Sequence, residues 1–583
     1  TTTYEQLTGL GGGLRSRTIK DVRGGEKASN TVNFNAAWGL RTEVTTSSVA
    51  ASVTSRSYYG IETSRETEGE TVYTWYDGFG HPVYSERDDG ENWYPVSYKD
   101  YNAVGDLTDV TLFTNYWESV SESYEYDQLG NRVSAVNANG DEVVSEYDAH
   151  GNLLSEAGAT YPVRYDYDTE NRRVAMRTTR DGETWDETRW TFDPATGLCT
   201  SKRRADGTTV NYTYTPDGLL ETTTRSNGHW VRNVYDATRQ LVGVVTDEDD
   251  SVAMVRDVYG RETAAQNGVA AYAYQLDDGG IATNETATIG GEVAVIRRGL
   301  DDNGRIVNIG TDKNGQTGFV SLAYRPDGRL TSVTNGEVSV VYAYSDDGFD
   351  TGSSLSVAGG ATFTRTVTRD PFRRELVTRV ENGIGTDFSY GFDALGRPVS
   401  RNDDSFAYNA RGEVTVTSLV PDPQSLIPVA AGYAYDEIGN LLASSANAET
   451  NRYVSNCLNQ YTEISQAIEQ SEQSNNPVYD TEGNLTQYGE WSYTYDAQNR
   501  LATVSSNGLL VASNFYDHMG RRVRMVTSEA SYTFIYDGWN LVLELAERGG
   551  ETERTEYYWG KDISGTLQDA GGIGGLLYLK RNG

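Results

Sequence analysis

Aromatic and β-branched residues alternate with polar residues over short runs in most of this chain. In the run 212–215, Tyr-Thr-Tyr-Thr, successive side chains fall on opposite faces, which is the period of a β-strand. The turn phrase Pro216-Asp217-Gly218 follows, and residues 219–224 then return as a second strand-like run. The pattern predicts hairpins along most of the chain, and therefore an all-β fold.

One phrase recurs at the ends of these runs: an aromatic residue, Asp, two variable residues, Gly or Asn, Asn or Arg, and an apolar residue. Residues 435–441, Tyr-Asp-Glu-Ile-Gly-Asn-Leu, are typical. Most copies lie roughly 20 to 25 residues apart, which indicates a repeat architecture. We interpret the Asp as a turn former and the Tyr as a rung of the sheet. The repeat residues singled out are Tyr126, Asp127, Gly130, Tyr147, Asp148, Gly151, Tyr435, Asp436, Gly439, Tyr479, Asp480, Gly483, Tyr495, Asp496, Tyr516, Asp517 and Gly520.

A second class of turn signal lies about half a period after the first. Asn-Gly and Asp-Gly pairs between strand-like runs indicate two-residue hairpins in which both central residues have positive φ. One edge of the predicted sheet therefore carries Tyr-Asp turns, and the other carries Asn-Gly turns. The pairs are Asn139-Gly140, Asp181-Gly182, Asp206-Gly207, Asn227-Gly228, Asn314-Gly315, Asn335-Gly336, Asn382-Gly383 and Asn507-Gly508.

The number of hairpins limits the architecture. About 20 repeats with two strands each give roughly 40 strands, or close to 190 Å at ~4.8 Å per strand. An open twisted sheet rarely exceeds ~10 strands, so the strip is expected to curl into a spiral. A solid β-solenoid and a wider hollow coil both satisfy this demand. The low apolar fraction favours the hollow coil.

Two intervals interrupt the repeat. Between Asp257 and Asp301, and between Asp436 and Asp480, the spacing is about double, which indicates one decayed copy in each. Within the second interval, residues 461–472 have the composition of one short helix, and residues 470–476 that of an exposed loop.

Composition refines this picture. Hydrophobic residues are 37% of the 583 residues and mean hydropathy is -0.58, so no thick apolar core is expected, although 41 tyrosines offset part of the deficit. The net charge of -35 makes nucleic acid a poor partner and would attract a basic one. No stretch approaches the ~18 apolar residues of a membrane span.

The cysteines and the start of the chain carry little functional information. Cys199 and Cys457 have no metal or redox spacing, and two isolated thiols are favoured over one long-range disulfide. The sequence opens with Thr1-Thr2-Thr3-Tyr4 and shows no secretion signal, so targeting information is expected elsewhere in a longer protein.

Several stretches together carry a family resemblance. Residues 456–462, Asn-Cys-Leu-Asn-Gln-Tyr-Thr, precede the repeat phrases at 479–485 and 495–501, and a glycine-rich stretch spans residues 558–577. Its marked residues are Gly560, Asp562, Gly565, Gln568, Gly571, Gly572, Gly574 and Gly575. With the Tyr-Asp phrase, this sequence resembles the core of the Rhs/YD-repeat family.

The resemblance implies a long β-sheet that spirals into a hollow shell. Relatives of this kind include bacterial polymorphic toxins, shell components of Tc toxins, and teneurin adhesion proteins. In the toxins, the shell encloses a C-terminal effector, and an aspartyl self-cleavage site commonly releases it. Only residues 578–583 follow the glycine-rich stretch here, so the closing repeats and any cleavage or effector region are expected to lie outside this chain.

No residue pattern predicts a catalytic, metal or cofactor site. We interpret the four histidines as variable turn residues. The acidic run Asp247-Glu-Asp-Asp250 lacks the ligand spacing of a calcium loop. Asp193-Pro194 and Asp370-Pro371 lie within degenerate repeats, where a turn is favoured over a protease. The glycines at 571–575 lack the strand-to-helix setting of dinucleotide binding, and close backbone packing is favoured.

The sequence therefore predicts degenerate repeats at 1–71, a YD-repeat β-shell at 72–556 and the glycine-rich signature at 557–583. The expected function is a noncatalytic shell of a secreted or surface-displayed bacterial protein, which encloses or presents a C-terminal effector. The alternative is a cell-surface adhesion or carbohydrate-binding scaffold, in which exposed Tyr and Trp rings contact a glycan or receptor.

Overall fold

The computed structural model describes residues 2–582, apart from residues 10–11, 21–25, 36–39, 48–49, 59–60, 68–69, 249, 314, 346–347, 384–386, 420–429, 447–448 and 469–470. For residues before 71, the structure describes the backbone. The described residues fold into strands joined by turns and contain no helix. The prediction of an all-β strip of antiparallel hairpins is confirmed.

The strands follow one another along the chain at short intervals. The first are β1 Thr2–Gly9, β2 Gly12–Lys20, β3 Glu26–Asn35, β4 Leu40–Ser47, β5 Ala50–Tyr58, β6 Ile61–Thr67, β7 Glu70–Tyr76, β8 Pro82–Asp88, β9 Trp93–Tyr101, β10 Leu107–Phe113 and β11 Ser119–Tyr126. Next come β12 Arg132–Val136, β13 Glu142–Tyr147, β14 Leu153–Gly158, β15 Val163–Tyr167, β16 Arg173–Thr179, β17 Trp185–Phe192, β18 Cys199–Arg203, β19 Thr209–Tyr214, β20 Leu220–Thr224, β21 Trp230–Tyr235, β22 Leu241–Thr246, β23 Val252–Arg256 and β24 Glu262–Gln266.

The middle of the chain continues in the same way, with β25 Ala270–Leu276, β26 Ala282–Ile289, β27 Glu292–Leu300, β28 Ile306–Lys313, β29 Gln316–Tyr324, β30 Leu330–Thr334, β31 Val338–Tyr344, β32 Asp350–Val357, β33 Thr362–Arg369, β34 Val377–Asn382, β35 Phe388–Phe392, β36 Pro398–Arg401, β37 Asp404–Tyr408 and β38 Val414–Ser418.

The remaining strands are β39 Ala430–Tyr435, β40 Leu441–Ala446, β41 Glu449–Ser455, β42 Tyr461–Ile468, β43 Ser471–Asn475, β44 Val478–Tyr479, β45 Leu485–Tyr488, β46 Trp491–Tyr495, β47 Leu501–Ser506, β48 Leu509–Tyr516, β49 Arg522–Thr527, β50 Ser531–Asp537, β51 Asn540–Arg548, β52 Glu551–Trp559 and β53 Leu576–Asn582.

The strands pair as hairpins. β11 with β12, β15 with β16 and β39 with β40 are typical pairs, each antiparallel and each joining strands consecutive in sequence. The register shifts by one residue immediately before the last aromatic residue of the first strand, so that Tyr126 faces Arg132 and Tyr435 faces Leu441. This bulge places the aromatic residue and the following Asp at the start of the turn.

The chain forms two compact units. The first comprises residues 1–121, 271–389 and 532–583, and the second comprises residues 122–270 and 390–531. The first has an apolar core around Leu322, Leu330 and Tyr342. We call residues 122–270 and 390–531 of the second unit the leading strip and the trailing strip.

The predicted helix is wrong. Residues 461–468 form strand β42, which pairs antiparallel with β41 and with β43. The loop predicted at 470–476 is also wrong over residues 471–475, which form β43, while Gln470 lies outside the described residues. The polar Gln and Ser residues that suggested a helix or a loop here occupy ordinary hairpin strands, because cross-strand pairing overrides local composition.

The Asn-Gly pairs differ from the prediction. In Asn139-Gly140, Asp206-Gly207 and Asn227-Gly228 only the glycine has positive φ, at 84°, 89° and 93°. Gly140 N donates to the carbonyl oxygen of Asn137 at 2.9 Å, so this turn opens one residue earlier than predicted. Asn507-Gly508, with φ of 50° and 77°, is a pair in which both residues are positive, as predicted. Asn314 lies outside the described residues.

Both doubled intervals contain a turn of the repeat type. Asp277 N donates to the carbonyl oxygen of Ile281, and Gly280 N to that of Asp277, both at 3.0 Å. In the second interval Asn456 opens the turn, and Asn459 closes it with φ of 62°. The sequence signature decayed in these copies, but the turn geometry remains.

Candidate functional site: the turn edges and the glycine-rich segment

The Tyr-Asp turn is organised around its Asp carboxylate. Asp127 Oδ1 accepts hydrogen bonds from the backbone N–H groups of Leu129 at 2.8 Å and Asn131 at 2.9 Å. Asp127 Oδ2 accepts one from Asn131 Nδ2 at 2.9 Å. Gly130, with φ of 83°, closes the turn in a conformation that side chains other than Asn rarely adopt. The hydrogen bonds from Asn131 lower the pKa of Asp127.

The fifth residue of the turn supplies the donor to Oδ2. Asn fills this role in turns that begin at Asp148, Asp436 and Asp480, and Arg Nε fills it in turns that begin at Asp168, Asp496 and Asp517. The alternation of Asn and Arg at this position has one physical basis, since both offer an N–H from a planar group.

Some turns reverse the polarity of this pair. Asn102 Nδ2 donates to Asp106 Oδ2 at 2.9 Å, and Asn409 Nδ2 donates to Glu413 Oε2 at 2.6 Å. The amide opens the turn and the acid occupies the fifth position. These copies lack the Asp of the phrase but keep one donor and one acceptor in place.

The tyrosine before the Asp links neighbouring hairpins. The hydroxyl of Tyr435 donates to the carbonyl oxygen of Val414 at 2.9 Å, and that of Tyr516 to Leu501 at 2.8 Å. In both pairs the acceptor is the first residue after the preceding turn. The tyrosine is therefore both a packed ring and a hydrogen-bonded rung along the turn edge.

The sequence-predicted repeat residues occupy equivalent places. The tyrosines end strands β11, β13, β39, β44, β46 and β48, each Asp follows directly, and each Gly has φ between 81° and 92°. The tyrosines are Tyr126, Tyr147, Tyr435, Tyr479, Tyr495 and Tyr516. The acids are Asp127, Asp148, Asp436, Asp480, Asp496 and Asp517, and the glycines are Gly130, Gly151, Gly439, Gly483 and Gly520.

In the second unit, the Asn-Gly edge of the leading strip contacts the Tyr-Asp edge of the trailing strip. We call this contact the seam. Its hydrogen bonds join residues 249 to 278 positions apart, from Asn267 Nδ2 with the carbonyl oxygen of Tyr516 to Arg204 with Glu482. Arg180 Nη1 donates to the carbonyl oxygen of Ser455 at 2.7 Å. The two turn edges thus satisfy each other's polar groups.

Glu482 lies at the centre of the seam. Its side chain has 0% exposure and pairs with Arg204 at 2.9 Å and Arg225 at 3.7 Å. Ser226 N donates to Glu482 Oε1 at 2.6 Å. Burial acts to raise the pKa of Glu482, but the hydrogen bonds from Arg204 and Ser226 outweigh it, and the pKa is lowered.

In the first unit, Asp562 organises the glycine-rich segment. This carboxylate is 4% exposed and accepts hydrogen bonds from the N–H groups of Ser564 at 2.9 Å, Ala570 at 2.7 Å and Gly572 at 3.2 Å. Burial acts to raise the pKa of Asp562, yet these bonds and that from the Ser564 hydroxyl lower it. One buried acid therefore holds the loop closed.

The glycines of this segment permit close backbone packing. Gly560 N donates to the carbonyl oxygen of Gly575 at 2.8 Å, and a Cβ on Gly572 would lie 2.1 Å from Asn540 Oδ1. Gly565, Gly571 and Gly574 have φ of 83°, 65° and 77°. Close packing, the favoured interpretation of residues 571–575, agrees with this geometry.

Polar side chains fasten the segment to other strands of its unit. Gln568 Nε2 donates to the carbonyl oxygen of Asp537 at 2.8 Å, and its Oε1 accepts from Trp539 N at 3.0 Å. Lys561 Nζ lies 2.6 Å from Asp350 Oδ2 and 4.7 Å from the centre of the Tyr342 ring. These contacts fix the segment against residues more than 200 positions earlier, at Asp350 and Tyr342.

The four histidines lie in or beside turns. His81, His229 and His518 each lie within 3.1 Å of a carboxylate oxygen, from Asp77, Asp247 and Glu262 respectively. His150 is exposed at the centre of a turn. Within the described residues, no group of three or more His, Cys, Asp or Glu side chains is placed to hold a metal ion.

The Asp-Pro pairs lie in turns, and the two cysteines are unpaired. Asp193 and Asp370 each cap a turn, and Asp370 Oδ1 accepts from Phe372 N at 2.9 Å. Cys199 and Cys457 are both free, and burial raises the pKa of each thiol. None of the described residues belongs to a helix long and apolar enough to cross a membrane.

Sequence reasoning missed the residues that form the seam. Arg204, Arg225 and Glu482 lie at or beside turn centres, where side chains are normally exposed and variable. The sequence contains no local signal for their pairing, because the partners are 278 and 257 positions apart, as Arg204–Glu482 and Arg225–Glu482.

No family model matches this sequence, and no curated protein matches it. Solved structures with a similar fold include two crystal structures. The crystal structure of TcdB2-TccC3-TEV is 13% identical over 93% of this chain and 33% of that chain, with a TM-score of 0.58. That of TcdB2-TccC3 is 13% identical over 96% of this chain and 34% of that chain, with a TM-score of 0.55.

The chain thus spans about a third of the length of the structures it resembles, 33% and 34%. At this identity the likeness is one of fold. It agrees with the Rhs-type, Tc-toxin-like fold that the sequence motifs implied.

Proposed function

We propose that this chain is a noncatalytic wall segment of a larger secreted or surface-displayed Rhs/YD-type protein, and that the wall encloses or presents a C-terminal effector. The observation that carries the proposal is the seam, where one strip seals its edge against another at a sequence separation of 249 to 278 residues. A strip that returns to its own edge at a nearly constant separation is what a coiled wall requires.

The energetics of the second unit suit a wall rather than a globular core. Its fully buried residues include the polar Asp517 and Thr179 as well as Val523, and the contacts across the seam are charged and hydrogen-bonded. A single sheet with tyrosine rungs and hydrogen-bonded turn edges can be held together without a thick apolar interior.

The net charge of the chain favours one kind of effector. A net charge of -35 favours a basic effector and disfavours nucleic acid as a partner. In this proposal, any effector or aspartyl self-cleavage activity belongs to another part of the longer protein. No cofactor is required for the function of the wall.

Limited proteolysis of the full-length protein tests the proposal. We expect any segment that follows residue 583 to resist trypsin in the intact protein and to be digested when expressed alone. Glu482→Ala, which weakens the seam, should restore digestion, whereas the exposed control Glu170→Ala should not. Equal digestion in the intact protein, or a membrane anchor or adhesive domain in place of an effector, would contradict encapsulation.

A further inference from the structure

The leading strip carries a pocket lined mainly by aromatic rings. The pocket has a volume of about 430 Å³ and is formed by Trp190, Phe192, Tyr212 and Tyr214, with Leu220, Cys199 and Arg173 at its borders. This volume lies within the range of roughly 300–1,000 Å³ that is typical of small-molecule sites. All of these residues belong to consecutive strands of one strip.

Arg173 borders the pocket and Lys202 lies near its Trp190 ring, and neither cation has a carboxylate partner among the described residues. Arg173 lies 5.1 Å from the centre of the Trp190 ring and 5.2 Å from that of Tyr165, and Lys202 lies 5.9 Å from that of Trp190. Within the described part of the chain, neither cation forms an ion pair.

Three nearby arginines are paired. Arg172 contacts Asp168 at 2.7 Å, Arg180 contacts Asp186 at 2.9 Å and Arg189 contacts Glu187 at 2.9 Å. The pocket therefore keeps two positive charges available for an anion. A guanidinium offers a planar fork that matches a carboxylate.

The rings divide into structural and available ones. The Tyr214 hydroxyl donates to the carbonyl oxygen of Cys199 at 2.7 Å, and the Arg172 guanidinium lies 4.9 Å from the centre of the Phe192 ring. For Trp190 Nε1 and the Tyr212 hydroxyl, the described residues provide no hydrogen-bond partner. The Tyr212 side chain presents both an apolar ring face and a free hydroxyl, whereas Trp190, whose ring contacts Arg173 and Lys202, presents a free N–H.

We propose that this pocket binds a short acidic saccharide. A pyranose ring has a C–H face that packs on Tyr212, and a rim of hydroxyls that Trp190 Nε1 and the Tyr212 hydroxyl can reach. A uronate-type carboxylate satisfies Arg173, with Lys202 adding positive charge. The net charge of -35 repels long polyanions, so a short or terminal acidic sugar fits better than a polymer. The inference does not depend on the shell function.

Calorimetric titration with digalacturonate and with its neutral counterpart galactobiose tests the site. We expect digalacturonate to bind at least tenfold more tightly at low salt. Arg173→Gln should reduce its affinity to that of galactobiose, and Trp190→Ala should remove measurable binding of both. Trp230→Ala is the control, because Arg232 lies 5.8 Å from the centre of the Trp230 ring but Trp230 does not line the pocket. The affinity of this variant for digalacturonate should stay within twofold of the wild type.

Several outcomes would overturn the proposal. These are equal binding of the acidic and neutral sugars, no binding of either at millimolar concentration, or binding of naphthalene-2-sulfonate to the pocket when neither sugar binds. A loss in Trp230→Ala as large as in Trp190→Ala would also overturn it. Thermal unfolding of each variant distinguishes a purely structural role of the mutated residue from a role in binding. A purely structural role would lower Tm without changing the ratio of the digalacturonate and galactobiose affinities.

Discussion

The leading and trailing strips contain the same turn in two environments. Glu170 and Glu482 occupy the same position of a Tyr-Asp turn, and a threonine precedes each. The Glu170 side chain is 62% exposed, whereas that of Glu482 is 0% exposed. The turn itself is unchanged; what differs is whether an Asn-Gly edge covers it.

The comparison shows what each part of the repeat does. The Asp, the Gly and the fifth residue build the turn in both strips, as in Asp127 and Asp436. Central residues of the turn, such as Glu482 and Ala497, make contacts across the seam. The Asp, Gly and fifth residue of the phrase therefore form the turn, whereas the variable residues within it contribute to the contact between the two strips.

The largest difference between the strips should appear on removal of the turn acid. Asp517 and Arg521 have side-chain exposures of 0% and 2%, against 21% and 32% for Asp257 and Arg261. Asp517→Ala leaves a buried guanidinium and should lower the free energy of unfolding by about 4 kcal/mol. Asp257→Ala should cost about 1 kcal/mol. Urea unfolding measures both, and equal losses would mean that covering the edge adds nothing.

The seam itself is tested at Glu482. Glu482→Ala removes the partner of Arg204 and Arg225 and should destabilise the protein by about 3 kcal/mol. Glu170→Ala, at the same position of an uncovered turn, should change stability by less than about 0.5 kcal/mol. A loss in Glu170→Ala as large as in Glu482→Ala would contradict the assignment of the seam.

A glycine pair separates backbone strain from covering. Gly130 and Gly439 have φ of 83° and 88°, so alanine should cost each about 1 kcal/mol. A Cβ at Gly130 meets nothing within 4 Å, whereas one at Gly439 would lie 2.8 Å from Glu413 Oε1 of the trailing strip and 2.9 Å from Tyr161 Cε1 of the leading strip. We expect Gly439→Ala to cost about 1 kcal/mol more in urea unfolding. Identical costs would show that Glu413 and Tyr161 both move freely.

The tyrosine rung should have a smaller effect. Tyr435→Phe removes the hydrogen bond to the carbonyl oxygen of Val414 and should cost about 1 kcal/mol. The Tyr433 hydroxyl has no partner in the described part of the chain, so Tyr433→Phe is the control and should be nearly neutral. If the two variants unfold at the same urea concentration, the hydroxyl rung is not a stabilising contact.

The smallest effect concerns pH. Backbone and side-chain hydrogen bonds from His81 lower the pKa of Asp77 from 3.8 to about 2. Because the folded-state value is depressed, this stabilisation is present above pH 3.8 and is lost as pH falls through about 2. Asp77→Asn should remove part of the acid-dependent fall in the urea midpoint. An unchanged pH profile would rule out the assigned role of Asp77.

The sequence was sufficient for the local structure and insufficient for the seam. Alternation and the Asp-x-x-Gly phrase predict strands and turns because both depend on neighbouring residues, as at Asp127 and Gly130. The helix at 461–472 and the φ values of Asn139 and Asn227 were wrong, since cross-strand register and turn position override composition. The pairing of Glu482 with Arg204 has no local signature.

The most direct test of the covered-edge account is residue-level hydrogen exchange at the first central residue of the turns. Ala497 N donates to Glu248 Oε2 at 2.8 Å across the seam, whereas the exposed Ala149 and Ala237, at the same turn position in the leading strip, have no such acceptor among the described residues. We expect Ala497 to exchange at least a hundredfold more slowly than Ala149 and Ala237. Equal exchange at all three amides would contradict the account.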